Sequence, residues 1–230
     1  MGYWKKDEVT AGDTDTFCSP YVYLYQAWNA DDYDGNTAKD GLVWTLDDAY
    51  QYGYINGYKL TFYEMDDDLG CTNLLSDFTD WRNGYDQTQS GFHILANDCS
   101  QENVSSGAQD GANAWETDSS GQATRAASGG GSKDDARFRN SNAHEMIHAF
   151  VLGSCNYVDN MIEQSEHDLG KVYDNNDVSP IGDSNSSDRG TCSSSLNRHD
   201  DRTEPTNCSI KAIKYSANHT YGGHDMDHCQ

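Results

Sequence analysis

Short apolar stretches separated by acid-rich polar turns set the pattern of this chain, and the period within each stretch predicts its element. Tyr21-Val22-Tyr23-Leu24-Tyr25 is aromatic and β-branched, as a strand should be, and Tyr58 to Tyr63 alternates with period two. Gly91 to Ala96 reads as a third strand. The Asp31–Asn36 cluster reads as a turn, Thr45 to about Tyr52 as a short helix capped by its threonine, and Leu74 to Trp81 as a second helix. Residues 1–17 read as a polar arm. Ala112 to Ala127 suggests a hairpin with a return arm through Ala123–Ala126, and Ser128–Ser132 a flexible link. Beyond Cys155 the patterning fades, and Asp174 to Ser195 reads as a long loop held by disulfides.

Between the link and that loop, Ala143, Met146, Ile147, Phe150 and Val151 make an apolar stripe at helical spacing. The helix is expected to begin near Asp134 or Asp135 and to stop at Gly153. Along the edge of the stripe runs His144-Glu145-Met146-Ile147-His148, an H-E-x-x-H sequence. Histidines at i and i+4 stack on one helical face, so both imidazoles can reach one metal ion. The carboxylate between them, Glu145, is displaced to the side, where it can serve a water molecule as general base.

These five residues, with strands and a hairpin before them and an irregular segment after, resemble the zincin metalloproteases. The resemblance implies an α+β, zincin-like fold with a small mixed sheet, an active-site helix and an irregular, disulfide-linked C-terminal lobe. It implies an N-terminal lobe over 1–153 and a loop-rich C-terminal lobe over 154–230 that carries the third metal ligand. It also implies a cleft whose edge strand pairs with an extended peptide. The metzincin extension of the motif requires glycine at position 151 and histidine at 154, where this chain has Val151 and Ser154. His167, within Ser165–Gly170, is the favoured third ligand. Glu163 and Glu166 are the carboxylate alternatives, with Asp159 and Asp168 behind them. Tyr173, Tyr215, His219 and Tyr221 are candidates to stabilise an oxyanion. The expected function is therefore a zinc-dependent endopeptidase with His144, His148 and His167 on Zn²⁺ and Glu145 as base, acting on a protein or peptide. The rival readings are a non-catalytic, zinc-stabilised surface or binding protein, and an acidic disulfide-rich protein that binds only calcium.

Composition narrows the setting. Lys and Arg number 15 against 38 Asp and Glu, a formal net charge of -23. The acids are scattered along the chain, as in halophilic proteins whose surface repulsion molar salt screens. Without a basic patch, nucleic acid is excluded as a partner. The 15 Tyr, 5 Trp and 6 Phe supply a core that a disordered acidic chain lacks. Acidic turns at Asp31–Gly35 and Asp66–Asp68 make Ca²⁺ a second candidate cation. The 7 cysteines, none in a C-x-x-C pair, predict disulfides and an odd thiol. With sequons at Asn103, Asn185, Asn207 and Asn218, they point to a secreted protein whose signal peptide is absent from this sequence. No apolar run is long enough to span a membrane. His219, His224 and His228 fall in what reads as a polar C-terminal tail.

Overall fold

The structure, a computed structural model, describes residues 2–99, 106–109, 113–126, 132–162, 165–171, 178–182, 192 and 205–222. Strands β1 (Tyr3–Gly12), β2 (Tyr21–Gln26), β3 (Gly57–Met65), β4 (Gly91–Asn97), β5 (Gly107–Ala108) and β6 (Asp118–Thr124) form one sheet in the order β1-β3-β2-β4-β6-β5. The four inner strands are parallel, and an antiparallel strand closes each edge. Helix α1 (Asp32–Gln51) connects β2 to β3, and α2 (Leu74–Gly84) connects β3 to β4. These two crossings run in opposite directions across the sheet, so right-handed connections place the helices on opposite faces. Leu24, Leu42, Phe62 and Ile94 pack on the α1 side, while Tyr25, Phe78, Trp81 and Leu95 pack on the α2 side. Parallel strands covered on both faces become apolar throughout, and β4 is buried at every position. The fold is thus mixed α and β, as expected.

Helix α3 (Asp135–Phe150) lies beside α1 on the first face, followed by α4 (Asn156–Asp159), a 3-10 turn at Glu166–Leu169, and α5 (Asn207–Gly222). Gly41 of α1 sits at the crossing with α3, where a Cβ would stand 2.4 Å from the Arg139 carbonyl oxygen. Gly35 similarly leaves room for Gln26 and Phe62. Both glycines lower helix propensity, which is why the sequence reads a turn where α1 begins. In fact Asp31 is the N-cap, its side chain accepting from the Asp34 amide at 2.9 Å, and α1 starts some thirteen residues before the predicted Thr45.

Four further expectations are corrected. The polar arm contains β1, whose alternation is broken by a register shift between Lys5 and Asp7. Its charges pair with neighbours, Lys5 and Lys59 with Glu8 and Lys39 with Asp7, and charged, irregular edges resist pairing with other chains. Helix α3 ends at Phe150, before the predicted Gly153, because Val151 turns extended. After Cys155 a full helix, α5, returns to the core through Ile210, Ile213 and Ala217, so the C-terminal part is less irregular than its Ser, Asn and Thr content suggests. The Thr206 hydroxyl accepts from the Ser209 amide at 3.1 Å at the start of α5. The hairpin expected within Ala112–Ala127 does not form: Ser119-Ser120-Gly121, at its centre, lies inside β6, which pairs in parallel with β4, and the antiparallel partner of β6 is Gly107–Ala108, before the expected span. Residues 128–131 of the expected link lie outside the described residues.

Disulfides join Cys71 to Cys99 and Cys192 to Cys208, and Cys18 is also disulfide-bonded. Such bonds persist in oxidising compartments, which fits an extracellular setting. Cys155 is a free, buried thiol. Asn218 is only 2% exposed, so its sequon offers no accessible acceptor, and Asn103 and Asn185 lie outside the described residues. Among the described residues no helix is long and apolar enough to cross a membrane.

Candidate metal centre

The capped start and the buried stripe fix the rotation of α3. Asp134 caps it, accepting from the Arg137 amide at 2.8 Å, and Ala143, Met146, Ile147 and Phe150 are buried in the core. At the far end, the Trp115 indole donates to the Phe150 carbonyl at 2.9 Å and packs edge-on against the Phe150 ring. With the helix locked on both ends, His144 and His148 face a cleft of about 760 Å³.

Their Nε2 atoms are 3.1 Å apart. That spacing matches two nitrogens bound at about 2.0–2.1 Å to one tetrahedral ion. His167 joins them from the 3-10 turn, with ring centroids 5.3 Å from His144 and 5.2 Å from His148. One ligand atom from each of the three residues lies within 4.8 Å of the other two, so the trio could hold a metal ion. The turn that presents His167 is held by a reciprocal cap. Ser165 accepts from the His167 amide at 3.2 Å, and Asp168 accepts from the Ser165 amide at 3.3 Å.

Glu166 stands on the opposite side of His148. The His148 Nδ1–H donates to Glu166 Oε2 at 2.6 Å, which leaves the Nε2 lone pair directed at His144 and the shared ligand position. Burial and the neighbouring His148, His167 and Lys133 hold His144 well below the ordinary imidazole value, so it stays neutral and able to donate a lone pair. Glu145 is 5% exposed and lines the cleft. Burial pushes it up to about 7, opposed by the neighbouring His148 and Lys133.

Of the sequence candidates, the structure brings together His144, Glu145, His148 and His167. Glu166 contacts the outer nitrogen of His148, Asp168 caps the turn, and Asp159 is exposed at the end of α4. Glu163 and Tyr173 lie outside the described residues, as do His224 and His228. Tyr215, His219 and Tyr221 sit on α5 and do not line this cleft. The acidic turns considered for calcium are engaged locally. Asp31 caps α1, Asp67 accepts from the Trp81 indole at 2.7 Å and from the Tyr85 hydroxyl at 3.0 Å, and Asp68 accepts from Gly70 at 2.7 Å. Among the described residues, the three histidines are the one group of three or more potential ligands.

Sequence reasoning missed the opposite wall of the cleft, Ser106–Gln109, because a two-residue strand has no readable period. Compared with protein-family models and with curated proteins, the chain matches none.

Glu166→Ala should weaken divalent-ion binding by about 10–100-fold while leaving three imidazoles in place. Competition against a chromophoric chelator measures this. Affinity equal to that of the parent chain would remove Glu166 from the centre, whereas His167→Ala should cost more than Glu166→Ala.

Proposed function

We propose that this chain is a zinc-dependent endopeptidase of the zincin type. The observation that carries the reading is the convergence of His144, His148 and His167 beside Glu145 in an open cleft, one wall of which is the edge segment Ser106–Gln109. Three imidazoles suit a borderline-soft ion such as zinc, whereas calcium requires a shell of oxygens. Zinc held there would supply a Lewis acid that polarises a carbonyl and makes water more acidic. Glu145 takes the proton from the attacking water and hands it to the departing amine. Glu166 keeps the His148 ring in the ligating tautomer. β5 is the last strand of the sheet, so its outer backbone groups are placed to pair with an extended peptide lying along the cleft. The parallel sheet, its antiparallel edge strand and the adjoining H-E-x-x-H helix together support the zincin resemblance.

The test is hydrolysis of an unfolded polypeptide by the purified full chain carrying one equivalent of zinc. Cleavage should disappear on chelation and return on zinc addition. A chain that binds zinc stoichiometrically, yet leaves the polypeptide intact from low to molar salt, would be the non-catalytic binding protein instead.

A further inference from the structure

Lys133 lies outside the H-E-x-x-H sequence and ties three parts of the cleft together. Its amide donates to the Arg125 carbonyl, just beyond β6, at 2.7 Å. Its ammonium donates to Ser141 Oγ at 3.0 Å and to Ser106 Oγ at 3.3 Å. Ser141 is on α3, one turn before Glu145, and its own hydroxyl proton goes to the Arg137 carbonyl at 2.9 Å, which frees a lone pair for the lysine. Ser106 opens the cleft wall that continues through Gly107, Ala108 and Gln109, and its hydroxyl also accepts from the Thr124 amide at 3.2 Å.

Two features make this tie more than a surface contact. β5 has only two residues, paired as Gly107 with Gln122 and Ala108 with Gly121, and so short an edge has little stability of its own. In a chain with 38 acids, no carboxylate among the described residues forms an ion pair with Lys133, whose ammonium is instead held between two hydroxyls. Hydroxyl partners hold the ammonium at the junction of wall and helix, where burial lowers its pKa and Glu145 opposes that shift.

We propose that Lys133 is a positioning residue that clamps the Ser106–Gln109 wall to α3 and so sets how an extended peptide is gripped above the three histidines. The substrate part of this inference rests on the peptidase reading. The clamp itself does not.

The experiment compares Lys133→Met, Ser106→Ala, the double variant and Lys133→Arg in the zinc-loaded full chain. Loss of a charge-assisted hydrogen bond corresponds to about a tenfold change, so at a pH well above 7, where Glu145 is ionised with or without the lysine, Lys133→Met should raise KM about tenfold and leave kcat within about twofold. Zinc content should be unchanged. Ser106→Ala should move KM in the same direction, the double variant should be no worse than Lys133→Met, and Lys133→Arg should recover part of the loss. Amide hydrogen exchange at Gly107, Ala108 and Gln109 should quicken about tenfold in Lys133→Met while α3 stays protected. Exchange needs no turnover, so a parent chain that cleaves nothing defeats the peptidase reading alone, and the clamp is still judged. Unchanged exchange at those three amides overturns the clamp. A fall in kcat at constant KM would instead assign Lys133 to the chemical step. If Lys133→Met does not fold, Ser106→Ala breaks the same tie and carries the same two readouts.

Discussion

Glu145→Gln should lower peptide cleavage by about 10²–10⁴-fold with the bound metal retained, the range expected when a positioned general base is removed. The substitution keeps the shape of a side chain that is 5% exposed and close in sequence to His144 and His148, and removes only its charge and basicity. A closed structural centre would be indifferent to the change. The same variant should be more stable than the parent once both are chelated. Burial raises the Glu145 carboxyl from 4.5 to about 7, so keeping it ionised costs folding free energy. That cost is absent below pH 4.5, grows as pH rises, and is complete above about 7, where it approaches about 3 kcal/mol. Urea unfolding at pH 8 should therefore show a higher midpoint for Glu145→Gln. Such an opposition between activity and stability marks a residue kept for chemistry. Parent-level turnover in the variant would end the assignment of Glu145 as base.

Acid should destabilise the fold through His93, which is outside the histidine trio. This side chain is fully buried in β4, stacked on Tyr23 at 4.4 Å, and its Nε2–H donates to the Gln89 carbonyl at 2.9 Å. Its Nδ1 faces the Tyr25 hydroxyl at 3.2 Å. Burial, helped by the nearby Arg82 guanidinium, lowers its pKa from 6.5 to about 3. The unfolded chain therefore takes up a proton that the folded chain refuses. Stability is complete above pH 6.5 and falls as pH drops toward 3, by about 3 kcal/mol between 6.5 and 4.5. Relief of carboxylate repulsion works in the opposite direction and is shared by any variant. The comparison is thus the urea midpoint at pH 7 and 4.5 for the parent and for His93→Gln, whose loss on acidification should be smaller by that amount. Parallel pH dependences in the two proteins would refute the role of His93.

What was legible in the sequence followed from local periodicity. β2, β3 and β4 alternate or run apolar, α2 has its stripe, and the aspartate before α3 announces its cap. His144, Glu145 and His148 were readable because helical geometry alone brings them together. The failures share one cause, which is tertiary contact overriding local preference. Gly35 and Gly41 look like helix breakers until Gln26, Phe62 and Arg139 are packed against them. β1 loses its alternation to a register shift that only its partner strand makes sensible. α5 has a narrow apolar stripe that gains meaning once α3 is beside it. His167 could be named as a ligand type, but the position of Glu166 behind His148 depends on how the chain returns after α4.

Cys155 has a consequence of a different kind. Among the described cysteines it is the one with a free thiol. It is 1% exposed, and its sulfur lies 3.6 Å from the Tyr215 carbonyl oxygen on α5. A thiol reagent can reach it only during excursions in which that last helix lifts from its seat, because the thiolate must meet solvent to react. The rate at which an added alkylating agent consumes this sulfur is therefore a built-in clock for the loosening of the chain's C-terminal third.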